Sequence, residues 1–429
     1  MSAYRGMERR AARALESFPW VRDSVKTTYH WLNYLYFRRD GFRARAAPGT
    51  SLLSAEEWLG APLSAKEGVF FGYYDKSPWD LEMGRVVLHR IRDDGRVDIM
   101  VLNRAERRSD CIGVSAAWNH QQGSMAQWVP GLGRSSLIYN DWLEGNLIAR
   151  IIDAEGRQST VPMPIQSVHP SRPEALALNY RRLARLRPEY GYAVEARNFS
   201  PDQALDRDGV WRVDLVSGEY ELLASIAMLA TQGHRPEMQF SEHKVNHALY
   251  SPAGTRFVFL HRWLGPRGKF SRLWVARHDG SDLRVLLDHR MVSHFSWFDE
   301  DQLLVWARAP EAGDRYYMVD VNTGSRRTFG SDTLGRWGDG HPSFSPDRKW
   351  LVTDSYPDRA REQRLLLYRL RDGECVEAGR FFAPWRFDGT RRCDLHPRWS
   401  PDGQWICIDS AHSGERMTYF LDVSTICAA

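Results

Sequence analysis

The sequence predicts an all-β chain folded as a seven-bladed β-propeller with a short N-terminal helical extension. A module of strand, Ser-Pro-Asp-Gly type turn and second strand recurs along the chain. Its clearest copies open with histidine, and the repeat length is that of one four-stranded blade. These copies are His396-Pro-Arg-Trp-Ser-Pro-Asp-Gly, His341-Pro-Ser-Phe-Ser-Pro-Asp, His247-Ala-Leu-Tyr-Ser-Pro-Ala-Gly and His294-Phe-Ser-Trp-Phe-Asp-Glu-Asp. Proline pre-sets φ for the turn, and Asp and Gly accept its remaining geometry.

Taking the residue five before each turn proline as an anchor adds Met125 (before Pro130) and Tyr73 (before Pro78). His169 aligns through Pro170 and an apolar stretch at 175–179. The anchors recur roughly every 45–55 residues, close to the blade period. Only the interval from His169 to His247 is oversized, and it still holds two strands, at 210–215 and 220–223, so it carries one insertion. Seven anchors give seven blades, and circular closure removes exposed sheet edges. An open sandwich or two smaller β domains would not keep this spacing.

At 429 residues, 43% hydrophobic and 26% charged, the chain has ample material for a core. Residues 1–50 read as a basic amphipathic helical extension and residues 51–429 as the propeller. Residues 1–46 carry ten Lys and Arg against four Asp and Glu, interleaved with Trp20, Tyr29, Trp31, Tyr34, Tyr36 and Phe37. The remainder is slightly acidic, which argues against nucleic-acid binding. Such an extension either packs on the propeller or docks at a membrane surface or partner. It has no apolar run of signal-peptide or bilayer-spanning type. Five cysteines without paired spacing (Cys111, Cys375, Cys393, Cys407, Cys427) suit a reduced, cytoplasmic compartment.

In a blade the innermost strand begins, and the second strand ends, at one face of the disc. That face is expected to gather the anchor histidines with blade-end polar residues. His247, His294, His341 and His396, from four consecutive blades, are candidate ligands for a divalent metal ion (Mn, Ca or Zn), with Cys393 able to join them. The competing reading is that these imidazoles brace blade backbone. Asn140, His169, Tyr190, His261 and Arg262 are candidate substrate-binding residues. The segment Trp118-Asn119-His120-Gln121-Gln122-Gly123 brings His120 towards the same face. The insertion adds Tyr180, Arg181 and Tyr192, a tyrosine and arginine density that suits an anionic polymer.

The stretches Gly72-Tyr73-Tyr74-Asp75-Lys76-Ser77-Pro78, Glu242-His243-Lys244-Val245-Asn246-His247 and Cys393-Asp394-Leu395-His396-Pro397 resemble the propeller-type polysaccharide lyases, oligogalacturonate and ulvan lyases among them. The resemblance spans roughly residues 65–425, and its turn element is shared with non-enzymatic TolB-type propellers. It implies β-elimination on a uronic-acid-containing polysaccharide, with His247, His341 and His396 around a divalent metal. By the ulvan lyase pattern it implies a catalytic set of His120, Tyr192 (or Tyr180, Tyr190) and Arg181. The leader resembles those of cytoplasmic proteins of capsule or exopolysaccharide synthesis, implying a site peripheral to the inner membrane and an acidic polysaccharide as partner. The rival expectation is a non-catalytic scaffold that binds glycan or protein through its histidine-rich face.

Overall fold

A computed structural model describes residues 28–29, 31–64, 67–133, 135–192, 194 and 204–428. The chain forms seven antiparallel sheets, taken in sequence order as blades one to seven. Blade one comprises Val69–Phe70, Arg85–Ile91, Val97–Asn103 and Arg108–Ser115. Blade four, with the longest strands, comprises Glu242–Tyr250, Arg256–Gly265, Gly268–Arg277 and Arg284–Leu287. The apolar core lies between adjacent blades, as where Phe257, Phe259 and Trp274 of blade four pack with Ala175, Leu176 and Val213 of blade three.

Closure joins the two ends of the sequence. Blade seven takes three strands from the C-terminal region (Arg398–Trp399, Trp405–Ser410, Met417–Asp422) and its outer strand from Ser51–Ser54. Pairing Leu52 with Leu421 and Leu53 with Phe420 hides the edge that an open blade would expose. Ala44–Ala46 adds a fifth strand to blade six, beside Cys375–Phe382, so the sheet structure begins inside the segment read as a helical extension. Ser54 also starts the short helix Ala55–Leu59 with a capping box to Glu57.

The turn motif owes its recurrence to one hydrogen-bond pattern. Ser400 Oγ donates to Asp402 at 2.6 Å, and Ser345 Oγ to Asp347 at 2.7 Å. In blade four the aspartate is replaced by Ala253, and Glu300 of blade five supplies the missing acceptor to Ser251 Oγ at 2.9 Å. A second repeated device links neighbouring blades. A polar residue late in the second strand accepts a backbone N–H where the next blade's inner strand begins: His89 from Ser124, Asn140 from Ile165, Asp354 from His396, and Asp409 from Phe71 and Gly72.

Blade one departs from the repeat. Between Val69–Phe70 and the bridge from Trp79 to Val86, residues 71–78 leave the sheet. Tyr74 reaches blade five there, where its hydroxyl donates to Phe295 O at 2.9 Å and accepts Phe295 N–H at 3.0 Å.

Candidate metal centre at the propeller axis

Inner-strand entries from blades four to seven deliver His247, His294, His341 and His396, and the 71–78 excursion delivers Tyr73 and Tyr74 among them. Ring centroids of His294 and His341, and of His341 and His396, are each 4.3 Å apart. Tyr73 lies 5.1 Å from both His247 and His396. Met125, His247 and His396, three anchors of the repeat, have φ of 57°, 53° and 45°. Left-handed backbone is costly for such residues and persists only where the surroundings over-determine it.

The hydrogen bonds of the histidines are asymmetric. His341 Nδ1 is 2.8 Å from Asp354 Oδ1, and His396 Nδ1 is 2.8 Å from the carbonyl of Gly72. The Nε2 atoms of both rings are buried without a partner, as is Asp394 Oδ1. His341, Asp394 and His396 each offer a ligand atom within 4.8 Å of the others. A carboxylate or carbonyl on one imidazole nitrogen, with the other nitrogen free, is the outer support metal-bound histidines use. Burial alone would lower His341, but Asp354 reverses the shift and raises it. His396 is pushed well below its ordinary value by burial and by His341 beside it.

The other two histidines of the ring each face a carboxylate. His294 Nδ1 is 3.0 Å from Asp339, which also accepts from Ser293 Oγ at 2.6 Å. His247 stacks on Phe295 at 4.0 Å, and its Nε2 lies 3.2 Å from Asp75 without hydrogen-bond alignment. Burial works to raise Asp75, yet Lys76 at 2.7 Å and His247 bring it down to about 2.

A cationic group adjoins this ring. The insertion carries a helix, Tyr180–Leu186, and a turn, Pro188–Tyr190, that packs on Gly389–Arg391 before blade seven. Tyr190 meets Tyr73 edge-on at 5.8 Å, and Arg187 lies 4.7 Å above the Tyr190 ring. Lys244 Nζ donates to Leu186 O at 2.9 Å, and Arg262 Nη2 to Val292 O at 3.4 Å, leaving Arg262 Nε buried and unpartnered. Burial, then Arg262 and Arg187, lowers Lys244 to about 7; burial and Arg187 lower Arg262 to about 10.

Several residues expected at the site sit elsewhere. His169 follows the inner strand Ile165–Val168 instead of opening it, and meets Gly254 O at 3.1 Å in a Ser-Pro-Ala-Gly turn, so it braces the opposite, turn side of the disc. Asn140 is consumed by the blade link: it receives Ile165 N–H and donates to Ile165 O and Tyr192 Oη. Tyr180 and Tyr192 stack at 4.5 Å, both fully buried, with Tyr180 donating to Gln166. Arg181 is directed outward over Trp142 and donates to Gly145 O, because neighbouring Arg182 takes the inward position and pairs with Asp208 at 2.5 Å. His261 is locked between His243 at 2.9 Å and Arg272 at 3.3 Å. His120 packs on Trp118 at 4.9 Å and lines a separate cleft. Cys393 packs with Phe387 and Ala411, and burial pushes its thiol up to about 12, so Asp394 stands where Cys393 was expected to join. Asp394 and His396 lie two residues apart just before the inner strand Arg398–Trp399, both within the stretch Cys393-Asp394-Leu395-His396-Pro397 that the sequence singled out. Arg187 falls in the tyrosine- and arginine-rich insertion and Lys244 in the stretch Glu242 to His247 already singled out, whereas nothing local marks Asp339.

No protein-family profile and no curated protein sequence matches the chain. Solved structures do. An oligogalacturonate lyase in complex with manganese aligns with TM-score 0.60 at 15% identity, covering 89% of this chain and 96% of that one. The oligogalacturonate lyase from Vibrio parahaemolyticus aligns with TM-score 0.59 at 13% identity, covering 90% and 98%. TolB from Acinetobacter baumannii aligns at 0.39, with 12% identity over 78% of each chain. At these identities the likeness is one of architecture, and the chain is a seven-bladed β-propeller.

Proposed function

We propose that the protein is a metal-assisted lyase acting by β-elimination on a uronic-acid-containing polysaccharide. The observation that carries this reading is the convergence of His341, Asp394 and His396, whose ligand atoms lie within 4.8 Å of one another, with His341 Nε2, His396 Nε2 and Asp394 Oδ1 buried and without hydrogen-bond partners. These residues fit a divalent cation such as manganese, with Asp354 and Gly72 O orienting the rings. A divalent ion there would act as a Lewis acid on a uronate carboxylate and stabilise the charge that develops when the adjacent carbon loses its proton. Arg262, Lys244 and Arg187 have no carboxylate partner among the described residues and suit the same anionic group. His294, held by Asp339, is the proton acceptor of the reading. Tyr73 is the donor to the departing glycosidic oxygen: burial and Tyr190 keep its phenol protonated, while the Tyr74 hydroxyl is committed to Phe295.

Incubation with homogalacturonan, ulvan-type and glucuronate-containing capsular polymers tests this, following absorbance of the unsaturated product with added Mn²⁺ and after chelation. Product that requires metal and vanishes in His396→Ala supports the lyase. Metal binding without product from any polymer leaves the scaffold reading, in which the same face binds glycan.

We propose further that the N-terminal helix docks on an anionic membrane surface. Residues 31–37 are helical, and Tyr34 turns inward onto Phe382 and Trp385. Trp31, Leu32, Leu35, Tyr36 and Phe37 account for five of the eleven large apolar side chains left exposed among the described residues. Arg38 and Arg39 follow them, and the excess of basic residues over residues 1–46 complements anionic lipid. The basic residues before position 28 lie outside the described residues. Co-sedimentation with phosphatidylglycerol but not phosphatidylcholine vesicles, weakened by salt and by Trp31→Ser with Leu35→Ser, is expected. Equal binding by the variant, or self-association lost in it, would overturn membrane docking.

A further inference from the structure

A cleft of roughly 300 Å³ opens between blades one and seven, lined by Trp118, His120, Phe387, Arg391 and Arg416 with Glu67 and Asp93. It lies on the histidine side of the disc, because its residues come from inner-strand entries and second-strand ends. The chain between it and the metal centre is short: Arg391 lines the cleft, and Asp394 belongs to the centre. Arg392 ties the two regions together by donating to Asp394 at 2.6 Å and to Gln121 Oε1 at 3.2 Å.

The electrostatics of the cleft are unbalanced. Arg416 is only 2% exposed, yet its guanidinium meets three backbone carbonyls, those of His120, Arg391 and Arg392, and no carboxylate among the described residues. Arg416 Nε and His120 Nδ1 are buried without partners. A cation removed from water without a counter-charge is costly, and an anionic ligand offsets that cost. Gly68 secures the arrangement, since at its φ of +115° a Cβ would meet the Arg416 carbonyl oxygen at 2.4 Å. His120 is held neutral, down to about 3, by burial and by Arg416 and Arg391. Half-buried Trp118, its indole N–H fixed on Gly95 O at 2.7 Å, adds an aromatic wall, and the two carboxylates offer acceptors for hydroxyls. Cation, aromatic wall and hydroxyl acceptors together fit an acidic sugar better than an inorganic anion.

We infer that this cleft is a distal subsite for one uronate residue of an extended acidic glycan whose reacting bond lies at the histidine ring. The inference deepens the lyase reading and rests on it for the position of the reacting bond. It makes the preferred substrate an oligomer or polymer, in place of a disaccharide.

Calorimetry on the full chain with dimeric and hexameric galacturonate and glucuronate oligomers tests it, comparing wild type, Trp118→Ala and Arg391→Ala. The expected result is at least tenfold tighter binding of a hexamer than of its dimer. Each variant is expected to erase that difference and leave dimer affinity unchanged. Equal affinities in the wild type, or an unaltered difference in both variants, would overturn the subsite. A parallel titration uses the His341→Ala/His396→Ala protein and reads tryptophan fluorescence. Oligomer binding that persists there and is lost on adding Trp118→Ala keeps the cleft even if no lyase activity is found. Absence of binding by every oligomer in both backgrounds removes it.

Discussion

Asp354 holds His341 of the candidate metal centre, with Oδ1 2.8 Å from Nδ1, while its second carboxylate oxygen accepts the backbone N–H of His396 at 3.1 Å. One side chain thus orients two histidines of adjacent blades. Asp354→Asn retains the shape but loses the charge that favours His341 as a ligand. Manganese affinity should fall about 10–100-fold, the usual cost of losing such support, as measured by calorimetry.

Metal binding should discriminate between neighbours in sequence. His396→Ala and Asp394→Asn each remove a converging ligand atom and should abolish or strongly weaken binding in metal analysis of untagged protein. Cys393→Ser should leave affinity unchanged, because its thiol is packed against Phe387 and Ala411.

Lys244 gives a stability test of defined sign. Its folded pKa is depressed to about 7, from the ordinary lysine value of 10.5, by burial, Arg262 and Arg187. The unfolded chain therefore binds more protons between these values, and the lysine's contribution to stability rises as pH climbs through that window. Below pH 7 its charge is held in the fold at full cost. Lys244→Met should raise Tm by about 1–3 °C at pH 6. That gain should shrink towards pH 10 in thermal unfolding followed by circular dichroism.

Tyr74 spans from blade one to blade five, and its hydroxyl satisfies both Phe295 N–H and Phe295 O. Tyr74→Phe leaves those buried groups unpaired. A loss of about 1–3 kcal/mol in denaturant unfolding is expected, and an unchanged midpoint would show that water replaces the hydroxyl.

Arg262 and Arg181 should behave oppositely towards acidic oligomers. Arg262→Ala removes a buried cation with an unpartnered Nε and should weaken galacturonate binding at least tenfold. Arg181→Ala removes an outward side chain over Trp142 and should leave binding unaltered. Equal losses would place the anion site on the outer helix surface.

The repeat was legible because its parts are local. Serine, proline and aspartate within four positions close their own hydrogen bonds, as Ser345 with Asp347 and Ser400 with Asp402 do. Where a copy lacks the aspartate, the acceptor comes from Glu300 in the next blade, and no local reading could find it. His169 was misaligned for a related reason. A histidine followed by proline looks like an anchor, but the strand before it, Ile165–Val168, had already made the inner pass. His294, His341 and His396 meet because equivalent positions of a circular repeat face a common axis, and that follows from period alone.

The amino-acid order by itself determined the number of blades, the turn chemistry and the axial meeting of imidazoles, since each depends on spacing and near neighbours. Only the tertiary structure decided which polar atoms remain without partners once the circle closes. It selected Asp394 over Cys393, Arg182 over Arg181 for the interior, and the cleft of His120 apart from the ring. Those choices turn on side chains brought together across hundreds of residues, such as Arg416 with the His120 carbonyl and Gly72 with His396. Burial then makes every unpaired charge or lone pair count.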